Sequence, residues 1–183
     1  MTFVKIESKN ILKFVCMFTV AFGGLVYADT IPANPPTDSQ IIKIVIAANH
    51  EEIDTSQLLK KSNNRALKAL ANRMVKDHTQ SIAEMKKLAK NIGLAPEQSK
   101  ASEDIKKDAA AKVTELEKLN GAKFDKVYIN SLVGDHEALL KTFDTTLIPS
   151  SKNAQLTALL KKTKAVVQDH LTMAKQIQPT IDE

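Results

Sequence analysis

An all-α fold is what this sequence predicts: four long helices bundled around one core, with an additional short helix in the crossover. Three observations point there. Apolar residues recur at steps of three and four through most of the chain, the helical period. Glycine (5) and proline (6) are few, and past residue 28 they sit mostly at the ends of the periodic stretches. No stretch alternates apolar and polar residues for long enough to make a strand. The 183 residues, 43% hydrophobic and 26% charged, suffice for one domain with a core and exclude disorder, a collagen repeat and a disulfide scaffold.

Residues 1–28 read as a secretory leader. Lys5, Lys9 and Lys13 make a basic start, Phe14 to Val26 is apolar, and Val26-Tyr27-Ala28 offers a cleavage site before Asp29. The apolar run of about 13 residues is shorter than the roughly 20 that span a bilayer. The expectation is a periplasmic or secreted protein with no transmembrane segment in the mature chain. Cys16, the single cysteine, would leave with the leader. Residues 29–39, with Pro32, Pro35 and Pro36, read as an extended linker, and Asp38 or Ser39 can cap the helix that follows.

The bundle domain is expected over residues 40–178. The first helix spans 40–61, with Ile41, Ile42, Val45, Ala48 and Leu59 among its apolar positions, and Ser62-Asn63-Asn64 breaks it. The second runs to about 92 on Leu67, Ala71, Met74, Ile82, Met85 and Leu88, and Gly93 and Pro96 end it. A short, strongly charged helix fits 102–119, with Ile105, Ala109, Val113 and Leu116 as a narrow stripe. The fourth covers 123–147 on Phe124, Tyr128, Leu132, Leu139 and Phe143. The fifth covers 153–178 on Leu156, Leu160, Val167 and Met173, and Pro179 opens a tail over 179–183.

Several function classes drop out. The net charge of +5 falls by two without the leader, and basic and acidic residues alternate, so no nucleic-acid stripe forms. No nucleophile elbow and no glycine-rich phosphate loop is present, so neither catalysis of those kinds nor a nucleotide is expected. Covalent haem attachment lacks its cysteines, and no haem is expected. The Lys-rich stretch 102–119, with Lys161 and Lys162, could present a face to an envelope protein or a cell-wall partner.

The histidines carry the most information. Of four, His50, His78, His136 and His170, three directly follow an aspartate: Asp77-His78, Asp135-His136 and Asp169-His170. Each of these three falls on the apolar face of a different long helix. On the first helix Glu52 falls among Val45, Ala48, Thr55 and Leu59. Each long helix thus turns one metal-capable side chain inward, and a buried carboxylate needs a partner. Glu52, His78, His136 and His170 are therefore the candidate ligands. Asp77, Asp135 and Asp169 are candidates to accept a ring N–H from a neighbouring helix, since adjacent residues diverge by about 100° on one helix. His50, Glu51 and Glu137 are further supporting candidates.

The blocks His50-Glu51-Glu52-Ile53, Met74-Val75-Lys76-Asp77-His78, Phe124-Asp125-Lys126-Val127-Tyr128 and Asp169-His170-Leu171, in that order, resemble the bacterial exported family called domain of unknown function 4142. The resemblance covers about residues 40–178. It implies a ferritin-like up-and-down four-helix bundle, and it assigns no biochemical role. Di-iron ferritin-type centres carry Glu-x-x-His pairs. Here Val75, Val133 and Val167 stand three residues before the three histidines, so that centre is not expected.

Two readings stay open at this level. One is a transition-metal site for zinc, copper, nickel or iron, which imidazole suits better than calcium or magnesium. The other is a non-enzymatic interaction or stress-response protein of the envelope, whose Asp-His pairs only organise a polar core. A pH-sensitive histidine switch is a third use of the same residues.

Overall fold

The computed structural model describes residues 34–182, and the leader expected over 1–28 lies outside them. The described chain is helical, with no strand. Five long helices, α1 (Asp38–Gln57), α2 (Arg65–Asn91), α3 (Lys100–Glu117), α4 (Gly121–Thr142) and α6 (Ala154–Ile177), are joined by short turns. Two short helices, α5 (Ile148–Ser150) and α7 (Pro179–Asp182), flank α6. No helix among the described residues is long and apolar enough to cross a membrane.

Helix α1 is the inner one. Ile41, Ile42, Ile44, Val45, Ile46, Ala47 and Ala48 are all buried, so its N-terminal half is apolar nearly all round, as a helix enclosed by others must be. Thr37, rather than Asp38 or Ser39, starts it: its hydroxyl accepts from Gln40 N–H while the Gln40 side chain accepts from Thr37 N–H. Asp38 reaches across the fold instead, where its carboxylate accepts the backbone N–H groups of Lys152 and Asn153. That ties the start of α1 to the start of α6, which Asn153 caps.

The chain direction follows from side-chain pairs. Ser56 meets Met74 and Asn49 meets His78, so α1 and α2 are antiparallel. Glu84 meets Lys162 and Asp77 meets His170, so α2 and α6 are antiparallel. Asp144 meets Lys164 and Glu137 meets Lys175, so α4 and α6 are antiparallel too. Consequently α2 and α4 run parallel, and α3 carries the chain back between them.

Turn chemistry sets the ends. Gly93 has φ +71, a left-handed conformation that lets Leu94 N–H return to the Ala89 carbonyl and close α2. After α1, a 3₁₀ turn (Leu58–Lys61) aims Lys61 at the far end of α3. Its ammonium donates to the carbonyls of Leu116, Glu117 and Leu119, the groups a helix C-terminus leaves without partners, and lies 5.2 Å from the Phe124 ring centre.

The fourth helix ends earlier than its apolar period suggests. Its α-helical part stops at Thr142, and Phe143–Leu147 forms a π turn before Pro149. The wider turn keeps Phe143 and Leu147 buried while Asp144 stays at the surface. The reversal into α6 is therefore centred beyond 150.

Candidate functional site

Three helices each deliver one buried histidine to the same point of the core. His78 lies on the α2 stripe between Met74 and Ile82, His136 on α4 between Leu132 and Leu140, and His170 on α6 between Val167 and Leu171. The ring centres are 5.0 Å apart for His78 and His170, 5.9 Å for His136 and His170, and 6.3 Å for His78 and His136. One ring nitrogen from each lies within 4.8 Å of those of the other two.

One nitrogen of each ring is held by a group outside the three histidines. His78 Nδ1 lies 2.8 Å from Asn49 Oδ1. The Asn49 amide nitrogen donates to the Val45 carbonyl, which leaves Oδ1 as the acceptor and puts the proton on His78 Nδ1. His136 Nδ1 donates to the Leu132 carbonyl at 3.0 Å, one turn back on its own helix, and Glu52 Oε1 stands 3.4 Å from the same nitrogen. His170 Nε2 donates to Asp77 Oδ2 at 3.0 Å, from α6 to α2. These acceptors fix all three tautomers. The lone pairs left over sit on His78 Nε2, His136 Nε2 and His170 Nδ1, all buried and without a hydrogen-bond partner.

Burial also keeps the rings neutral. Desolvation, with His170 and His136 beside it, holds His78 well below the ordinary imidazole value. His136 falls to about 4 through burial, against the pull of Asp135 and the Leu132 carbonyl. His170 is lowered by burial although Asp77 favours its charged form. Asp77 itself is held below the usual carboxylate range: partial burial works to raise it, and the hydrogen bonds from His170 and Arg73 together outweigh that.

Next to the histidines lies a buried charged network. Lys112 of α3 donates to Glu51 of α1 and to Asp135 of α4, each at 2.5 Å, and Ser131 also donates to Asp135. Desolvation pushes Glu51 up to about 8 in spite of Lys112, and Glu52, fully enclosed, up to about 8 as well. The Lys112 ammonium is stabilised in return: burial works against it, but the two carboxylates win and raise it. Ser56 and Tyr128 share a hydrogen bond one turn further along.

The other sequence candidates are placed as follows. His50 is exposed and lines a separate groove of about 820 Å³, to which none of the three clustered histidines contributes. Glu52 stands beside the outward nitrogen of His136. Of the three aspartates preceding a histidine, Asp77 serves a histidine on another helix. Asp135 binds Lys112 instead, and Asp169 lies at the surface 3.9 Å from Arg73. Glu137 pairs with Lys175 at the surface.

Sequence reading missed Asn49 and Lys112. Both left a signal. Asn49 is a polar residue one turn after Val45 in an otherwise apolar run. Lys112 falls at helical spacing with Ile105, Ala109 and Leu116, on the stripe that meets the core.

A family model described as Domain of unknown function (DUF4142) matches residues 28–177 of the chain. No curated protein matches it. No solved structure does either.

Proposed function

The chain belongs to the DUF4142 family, a domain of unknown function, and from its own geometry we propose that it binds one transition-metal ion through His78, His136 and His170. The carrying observation is the division of labour within each ring. The outward nitrogen is tied to Asn49, Leu132 or Asp77, and the other has a buried lone pair and no partner. Metal-ligating histidines are oriented in this way, with the far N–H donated to a carbonyl or carboxylate.

The chemistry of the donor set narrows the ion. Three neutral imidazoles suit zinc, copper, nickel or iron(II) and not calcium or magnesium. Corners of a triangle 4.8 Å on a side lie about 2.8 Å from its centre, against about 2.0–2.1 Å for a zinc–nitrogen bond, so the rings close inward by less than ~1 Å each. A three-histidine set leaves a coordination position open, as in catalytic rather than closed structural zinc sites. Glu52, which the sequence suggested as a fourth ligand, takes the supporting place behind His136 in this reading.

The wider frame of the proposal is a ferritin-like bundle exported to the periplasm or beyond. The antiparallel pairs α1/α2 and α4/α6, with α2 and α4 parallel and joined through α3, support the bundle topology, which needs one long crossover. The leader pattern of residues 1–28 supports export; an N-terminus at Asp29 in the mature protein would test it.

The Asp77–His170 bond also favours a second reading, a purely structural polar core. That reading leaves three buried nitrogens without partners, at roughly 1–3 kcal/mol each. The discriminating experiment is metal analysis of untagged protein together with titration of zinc, copper(II), nickel and iron(II) into the apo form. The expected result is about one equivalent bound, lost in H78A/H136A/H170A while the helical circular dichroism persists. A wild-type protein that takes up none of these ions overturns the metal reading and leaves the structural one.

A further inference from the structure

The three lone-pair nitrogens are buried, so an arriving ion has to cross protein to reach them. A cleft of about 260 Å³ between α2 and α6 reaches His78, while the larger groove beside His50 reaches none of the three. Asp77, Ser81 and Glu84 lie on this cleft at helical steps of four and three, a single stripe of oxygen-bearing side chains along α2. Ser81 stands three residues from His78, and its hydroxyl oxygen is buried without a partner.

We propose that this cleft is the path by which a divalent transition-metal cation reaches the histidine cluster, with Glu84 receiving it at the mouth and Ser81 and Asp77 passing it inward. The inference rests on the metal reading above and adds a route to it. Each oxygen group suits a transient step. Glu84 is held below the usual carboxylate range by hydrogen bonds from Lys162 and Gln80, so it is ionised at neutral pH. Lys162 covers it at 2.7 and 2.8 Å, and Arg73 covers Asp77 at 3.3 Å. Both ion pairs are partly exposed, and such pairs open at little cost. The two cations are therefore movable covers: as each swings away, it releases a carboxylate to the incoming ion and removes a positive charge from its path.

The ring order agrees with this route. Asp77 Oδ2 already holds His170 Nε2, and His170 is the ring nearest His78 at 5.0 Å. An ion that passes Ser81 thus meets the closest pair of rings first and His136 last.

The test measures zinc uptake into the full mature protein by stopped flow with a chromophoric chelator as competitor, and the equilibrium affinity separately. Ser81→Phe, which fills the cleft, is expected to slow uptake by about tenfold or more, a barrier change of about 1.4 kcal/mol. Lys162→Ala, which uncovers Glu84, is expected to speed it by about two- to threefold, with the gain shrinking at high salt. Equilibrium affinity should stay close to wild type in both, because neither residue holds the outward nitrogen of a histidine. Wild-type uptake rates in both variants, with zinc still bound at one equivalent, overturn the route and leave the site standing. An absence of zinc binding in the wild type overturns the site itself and the route with it. Should Ser81→Phe fail to fold, Lys162→Ala alone decides: an unchanged rate rejects the route.

Discussion

Replacing Lys112 by Met should be the most damaging single change outside the histidines. The side chain is only 10% exposed, and it bridges Glu51 and Asp135, whose side chains are 1% and 6% exposed. Methionine preserves much of the volume and removes the charge, taking from two buried carboxyl groups the ammonium they share. Breaking a buried pair from one side costs about 3–5 kcal/mol. A domain of this size has about 5–15 kcal/mol in total, so about a fifth or more of the stability should go. At about 2–4 °C per kcal/mol the melting temperature should fall by roughly 6–20 °C.

The loss should depend on pH, with a definite sign. Glu51 is already pushed up to about 8 by burial with Lys112 present, and removing the ammonium pushes it further. A carboxyl raised in the folded state contributes its full stability below its unfolded value, and that contribution disappears as pH rises through the folded one. Up to about pH 8 both proteins lose this contribution alike, and the gap opens as pH rises through the wild-type folded value, so the variant should be closest to wild type near pH 6 and furthest from it near pH 9. Urea unfolding followed at 222 nm at both pH values reads this directly. The triple variant K112M/E51Q/D135N, with both carboxylates neutralised, should recover most of the loss. A penalty under about 1 kcal/mol, equal at both pH values, is the signature of a solvated surface pair and would refute the reasoning.

Two further outcomes follow from the same core. Asn49→Ala and Asp77→Asn should each weaken zinc binding by about 10–100-fold while leaving the helical content unchanged, because each loosens the outward nitrogen of one ring; competition with a chelator of known affinity checks this, and affinities within about threefold of wild type would count against the ring-orienting role. Glu52→Gln should flatten the fall in apo-protein stability between about pH 5 and 8, since Glu52, raised to about 8 by burial, contributes stability that is lost as pH rises through that value. The histidines act in the opposite sense below about pH 6.5, because their folded values are depressed. The comparison therefore belongs above that point, and parallel melting curves for the two proteins at pH 7 and 8 would refute the assignment.

Much of the fold was legible from the order of residues because a helix is a local object. The three- and four-residue spacing of Leu67, Ala71, Met74 and His78, the break at Ser62-Asn63-Asn64 and the left-handed Gly93 depend on neighbours within a turn or two. The sequence by itself therefore determined the five helical segments, and it marked His78, His136 and His170 as polar residues on buried faces. It also indicated that an aspartate would have to serve a histidine on another helix, and Asp77 does so for His170.

What one chain cannot display is the relative height and rotation of helices that lie far apart in sequence. Three Asp-His dipeptides look alike on paper, yet Asp135 is captured by Lys112 and Asp169 is left at the surface, because the partner is whichever group the adjacent helix brings level. Asn49 is an unremarkable amide until α2 places His78 2.8 Å away. Glu52 reads as a ligand until the packing of α1 sets it behind His136 and not among the three ring nitrogens. Periodicity specifies which face of a helix is buried, and only the packed arrangement of α1, α2, α4 and α6 decides which buried atoms meet.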